Sequence, residues 1–137
     1  MTSVEWEELR SAAAVAAGQA YAPYSGYPVG AAAVTDAGRL VTGCNVENAS
    51  LGLTLCAECG LVSALALGGG GRLSRFACVD KEGQPITPCG RCRQLLLEHG
   101  GLQLELLTAA GVVTLADLLP QAWGPNDWSG PKSAGQA

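Results

Sequence analysis

Leu55-Cys56-Ala57-Glu58-Cys59-Gly60-Leu61-Val62-Ser63-Ala64-Leu65-Ala66-Leu67 carries no proline and only one charge, Glu58. Leu61, Val62, Leu65 and Ala66 recur at helical spacing and predict a helix from Cys56 to about Leu67. Cys56 then stands at the helix start, where the partial positive charge of the exposed N–H groups favours a thiolate. A second stretch, Pro88-Cys89-Gly90-Arg91-Cys92, opens another predicted helix, Cys89 to His99, which Gly100-Gly101 stops. Cys56, Cys89 and Cys92 offer three soft ligands, enough to hold a zinc ion and leave its fourth position to water. Glu58 lies beside the first ligand and is placed to move protons for whatever the metal activates. Two helix starts aimed at one ion would moderate the formal charge of 2 − 3 = −1 on a zinc tris-thiolate.

A closed site competes with this open one. Cys56 and Cys59 also form a C-x-x-C, as do Cys89 and Cys92, and two such pairs are a usual signature of inert structural zinc. The 29 residues between the pairs, 60–88, exceed the usual ribbon spacing and hold a helix and a strand. A redox C-x-x-C leaves the second pair and Glu58 without a role.

Outward from these stretches, Thr2 and Glu5 resemble a capping box, and Val4, Leu9, Ala12, Ala13, Val15 and Ala16 predict a helix over about 3–18, closed by Gly18. Tyr21-Ala22-Pro23-Tyr24-Ser25-Gly26-Tyr27-Pro28 reads as a loop. Its three tyrosines suit either a packed loop or a wall for a flat ligand such as a nucleobase. Val29–Thr35 and Arg39–Val46 read as a hairpin turning at Asp36-Ala37-Gly38. Asn45 and Glu47, two apart on extended backbone, share a face that suits a sugar hydroxyl, or else mark a solvated strand end. Gly68–Gly71 lacks a following Gly-Lys-Ser/Thr and reads as a flexible connector rather than a phosphate loop. Strands are expected at Leu73–Asp80, Leu102–Thr108 and Val112–Leu115, with a turn at Lys81–Gln84 and an exit beginning at Asp117-Leu118-Leu119-Pro120. Cys44 and Cys78 read as small buried strand residues, Trp6 and Trp128 as packing or interface residues, and His99 as a capping or surface residue. The order of elements predicts a mixed sheet with helices on its faces.

With 137 residues the chain suits one domain, 1–128, followed by a disordered tail, 129–137, rich in Gly, Ser and Pro. Hydrophobic residues make up 48% and charged residues 15%, which favours much buried surface, a subunit contact included. Eight basic residues against twelve acidic ones, with no basic run, argue against nucleic acid as a partner. The N-terminus has no basic n-region, and Ala12–Ala17 is too short to span a bilayer, so a cytoplasmic location is expected, with no membrane association. There the six cysteines read as metal ligands and core residues rather than disulfides.

The chain resembles the small, homotetrameric, zinc-dependent cytidine deaminases of bacterial type. The resemblance runs from Tyr21 to Trp123 and rests on Tyr21–Ser25, Pro28–Ala32, Gly43–Ser50, Cys56-Ala57-Glu58, Pro88–Gln94 and Leu118-Leu119-Pro120. The His-x-Glu variant of nucleic-acid-editing relatives is absent, since Cys56 takes the histidine's place. The resemblance implies a three-layer αβα sandwich on a five-stranded mixed sheet. It implies one zinc per subunit on Cys56, Cys89 and Cys92, and hydrolysis of cytidine and deoxycytidine to uridine and deoxyuridine. Glu58 would shuttle protons, the Ala57 N–H hold the base carbonyl, and the Thr87 carbonyl accept from the amino group. Asn45 and Glu47 would bind the ribose 3′-hydroxyl, and Tyr27 stands where a Phe usually meets the base. Trp123 stands where a neighbouring subunit inserts a Phe over the substrate, in active sites at subunit interfaces. Cys59 replaces an Arg that often offsets the thiolate charge, and Arg91 is expected to supply it instead. Leu51 replaces a Tyr near the nucleoside's 5′ end. The alternatives are a deaminase of another cytosine nucleoside analogue, or a structural zinc domain closed by all four cysteines of the two pairs.

Overall fold

The computed structural model describes residues 3–128. Helix α1 (Ser3–Ala17) leads to the hairpin β1 (Gly30–Thr35) and β2 (Leu40–Cys44); α2 (Ala57–Leu67) and β3 (Leu73–Val79) follow. Then come α3 (Gly90–Gly100), β4 (Glu105–Thr108), β5 (Gly111–Thr114) and the short α4 (Leu115–Leu118). The five strands form one sheet in the order β2-β1-β3-β4-β5. Neighbours β3 and β4 run parallel, and the other three pairs antiparallel. A parallel neighbour needs a crossover, and α3 supplies it.

Alternation along the central strands sorts the core into two layers. Ala31 and Ala33 of β1 and Phe76 and Cys78 of β3 face Leu61 and Leu65 of α2 and Leu96 and Leu97 of α3. Ala32, Ala77 and Val79 face the other way, onto Trp6, Leu9 and Ala13 of α1. Those three recur at the spacing of one helix face. The result is the expected three-layer α/β sandwich on a mixed sheet, with Trp6 as a packing residue.

Two glycines set how closely the helices lie on the sheet. A Cβ at Gly30 would stand 1.9 Å from the Ala13 carbonyl oxygen of α1, and one at Gly43 would stand 2.4 Å from the Ala57 oxygen of α2. Backbone thus meets backbone on both faces, and the start of α2 is pressed directly onto β2.

Several boundaries differ from the sequence expectation. Cys56 and Cys89 cap their helices rather than begin them. Strand β4 starts at Glu105 and not at Leu102, because Gly101, at φ 72°, turns the chain and its carbonyl accepts from the Leu104 N–H. The fifth strand ends at Thr114, and Leu115 opens α4, which the sequence reading missed. Thr114 and Asp117 form a capping box there, with Thr114 N 3.1 Å from Asp117 Oδ2. The glycine run after α2 is a defined turn rather than a loose connector: the Arg39 guanidinium donates to the Leu65 and Gly70 carbonyls at 3.1 and 2.6 Å. A cation there also suits the negative end of the helix. Thr2 of the expected capping box and the tail 129–137 lie outside the described residues. Among the described residues, no helix is long and apolar enough to cross a membrane.

Candidate metal centre and substrate pocket

Cys56 and Cys89 are both N-caps in extended conformation, at φ −67°, ψ 160° and φ −65°, ψ 167°. Each sulfur therefore stands at the start of a helix, and that of Cys89 meets the N–H groups of Arg91 and Cys92. Cys92, one turn into α3, is fully buried. The three sulfurs lie within 4.8 Å of one another. Tetrahedral zinc–thiolate bonds of about 2.3 Å would put sulfurs about 3.8 Å apart, so a small contraction seats the ion. Cys59 is outside this cluster, and the four-cysteine alternative lacks its fourth ligand. The cluster can hold a metal ion, and its donor set fits zinc.

The charges around the cluster follow from its placement. Burial raises the Cys89 thiol, but N–H groups of Cys92 and Arg91 and the Cys92 and Cys56 thiols outweigh it and bring Cys89 below the ordinary thiol range. Burial and then the Glu58 carboxylate push Cys92 far up, so without a cation it remains a thiol. A divalent ion reverses that sign, since ligation deprotonates the thiol. Arg91 Nη2 lies 3.5 Å from Cys56 Sγ and donates to the Thr54 carbonyl at 3.2 Å. A permanent positive charge therefore stands beside the thiolates.

Glu58, in the first turn of α2, is 4% exposed. Burial raises its pKa, and a hydrogen bond from Cys92 offsets part of the rise. A carboxylic group moved toward neutrality is suited to take up and return a proton.

Cys56, Ala57, Glu58, Cys89, Asn45 and Thr87 line one cavity of about 200 Å³. That is smaller than the roughly 300–1,000 Å³ of ordinary ligand sites. A larger cleft of about 470 Å³, between the end of α3 and residues 122–127, has no cysteine on its walls.

Glu47, Tyr27 and Trp123 lie off the walls of the small cavity. Asn45 is held in orientation, with Oδ1 accepting from Val29 N at 2.9 Å and Nδ2 donating to the Tyr27 carbonyl at 3.0 Å. The Glu47 carboxylate accepts from the N–H groups of Tyr24 and Ser25 at 3.0 and 3.1 Å, and from the Ser25 hydroxyl. Both side chains thus tie the tyrosine loop to the end of β2 rather than standing solvated. The loop's three tyrosines are each about half exposed. Trp123 is also exposed and meets Trp128 edge to face at 5.6 Å.

The sequence reading missed two participants. Cys78, taken only as a buried strand residue, is a further thiol on the cavity wall and donates to the Ile86 carbonyl at 3.2 Å. Arg93 donates to the carbonyls of Pro88 and Leu118, both at 2.8 Å. Position in the Pro88–Gln94 motif was the available signal for Arg93; Cys78 had none, since it belongs to no motif with the ligands.

Residues 4–104 match the zinc-binding region of cytidine and deoxycytidylate deaminases. A cytidine deaminase of Mycobacterium tuberculosis is 58% identical over 127 residues, covering 93% of this chain and 96% of that protein. A crystal structure of cytidine deaminase from the same organism superposes with a TM-score of 0.86, covering 88% of this chain and 98% of that one. A cytidine deaminase structure from Burkholderia pseudomallei, 42% identical, gives 0.79 and covers 90% and 100%. Three thiols gathered by two helix starts around a buried acid, in a chain matched along nearly its whole length, lead to one conclusion: the chain belongs to the zinc-dependent cytidine and deoxycytidylate deaminase family.

Proposed function

We propose that this chain hydrolyses cytidine and deoxycytidine to uridine and deoxyuridine, releasing ammonia, as one domain spanning 1–128. The observation that carries the reading is the three-sulfur cluster opening into the same small cavity as the buried Glu58. Cys56, Cys89 and Cys92 hold zinc, which when bound supplies a water acidic enough to react near neutral pH. Glu58 would pass the attacking water's first proton to the ring N3 and its second to the departing amine, as the bond from C4 to oxygen forms and the bond from C4 to nitrogen breaks. The Ala57 N–H, in the first turn of α2, donates to the base carbonyl, and the Thr87 carbonyl accepts from the amino group. Asn45 and Glu47 meet the 3′-hydroxyl at the cavity mouth, already oriented by the loop bonds described above. Tyr27, off the cavity wall, would have to swing inward on binding to stand against the base.

The active form in this reading is a cytoplasmic homotetramer serving pyrimidine salvage, with Trp123 of one subunit covering the site of another. Supporting assembly, Tyr21, Leu51, Leu53, Leu55 and Trp123 are each more than half exposed, and bridges from Tyr21 to Val46 and from Val46 to Leu55 place Tyr21 and Leu55 on either side of the exposed Val46. Apolar side chains gathered in this way mark a contact surface.

The test is the loss of cytidine absorbance on adding enzyme. Wild type should turn over cytidine, and Glu58→Gln should lose about 10²- to 10⁴-fold in rate while keeping its zinc. Retained turnover in that variant would remove Glu58 from its role. Zinc-loaded wild type with no turnover would remove the reading.

A further inference from the structure

Between β3 and α3 the chain must place one backbone carbonyl, that of Thr87, where a ligand's amino group can donate to it. Thr87 precedes Pro88 and is therefore held extended. In an extended segment, alternate carbonyls point to opposite sides. The Ile86 carbonyl accepts from Cys78 Sγ at 3.2 Å, and the Ile86 N–H donates to the Cys78 carbonyl at 2.9 Å. The Pro88 carbonyl accepts from Arg93 Nε at 2.8 Å. Arg93 cannot drift, because its Nη1 also donates to the Leu118 carbonyl on α4 at 2.8 Å. The carbonyls on either side of Thr87 are thus both occupied, and no hydrogen bond to the Thr87 carbonyl is found among the described residues. Thr87 itself lines the cavity beside Glu58.

We infer that Arg93 and Cys78 form a two-point clamp on Ile86 and Pro88 that fixes the Thr87 carbonyl toward the cavity. Arg93 is thereby a positioning residue that lets the site tell a 4-amino from a 4-oxo pyrimidine. The inference rests on the reading of Thr87 as acceptor for the amino group. A rigid carbonyl accepts from an amino group and repels the oxo oxygen of the product. A loose carbonyl turns away from the oxo oxygen, and the distinction fades.

The experiment uses zinc-loaded enzyme and measures, for each variant, the Michaelis constant for cytidine, the competitive inhibition constant for uridine, kcat, and zinc per chain. In wild type the uridine constant should exceed that for cytidine. In Arg93→Gln their ratio should fall by about tenfold, the size of one well-placed hydrogen bond, with kcat changing less. Arg93→Lys, which keeps the charge but reaches one carbonyl, should restore part of the ratio. Cys78→Ala should lower it by a smaller factor, since a thiol is a weak donor. An unchanged ratio in Arg93→Gln, or equal weakening toward both nucleosides, overturns the clamp. If that variant fails to load zinc, Arg93→Lys and Cys78→Ala decide by the same ratio. A wild-type enzyme that binds both nucleosides equally defeats the Thr87 reading itself, a result distinct from failure of the clamp alone.

Discussion

Arg91 stands between two ligand cysteines, with its guanidinium against Cys56 and near Cys59 and Cys92. It is exposed, so its attraction to the thiolates is screened by water and salt. Exposed pairs of this kind shift an equilibrium by roughly fivefold at most. Arg91→Ala should therefore lose zinc to a chromogenic chelator a few-fold faster than wild type, and Arg91→Lys less so. Equal rates would show that the helix ends balance the charge unaided. Glu47 makes a prediction of opposite character. The Ser25 hydroxyl and then the Ser25 N–H hold its carboxylate below the ordinary value of 4.5. A folded-state pKa below the unfolded one adds stability that is present above the unfolded value and is lost as pH falls through the folded one. Glu47→Gln should melt below wild type at pH 7, and the gap should close as the solution is acidified past about pH 4. A gap independent of pH would mean that the charge on Glu47 does not hold the loop.

At the scale of elements, the glycine contacts make the two faces of the sheet separable by mutation. Gly43→Ala drives a methyl into the first turn of α2, which carries Glu58 and follows Cys56. Gly30→Ala drives one into α1, which carries no ligand. Each should cost about 1–3 kcal/mol, the usual penalty of overpacking. Only Gly43→Ala should also weaken zinc binding, and equal zinc affinity in the two variants would refute the link between β2 and the metal. The helices that carry the site were legible because each ligand lies within a few residues of a helix start, where local sequence governs. The Thr114–Asp117 box has a legible sequence pattern as well, three residues apart at the start of α4. What could not be read was Cys78 and Arg93 on either side of Thr87, because their partners are carbonyls, and sequence says nothing about which carbonyl is left free. Nor could the roles of Asn45 and Glu47 in holding the tyrosine loop be seen from their spacing, which announced only a shared face.

For the whole molecule, the mixed sheet and its layers follow from the order of elements and from two-residue alternation, both visible in the chain. How subunits meet is not encoded by any such period. In the proposed tetramer the exposed Trp123–Trp128 pair and the apolar surface near Tyr21 would meet neighbouring subunits. Light scattering should give four times the mass of the 13.9 kDa chain. Trp123→Ala should then raise the Michaelis constant several-fold while the assembly persists. A monomer with full activity would exclude shared sites.

The two core layers are separate clusters, and the sulfur ligands border the one beneath α2 and α3. A chelator should accordingly unlock backbone amides to deuterium along the first turns of those two helices, while α1 and its strands stay protected. The ion would then act as a local clasp, confined to the layer of the sandwich that lies opposite α1.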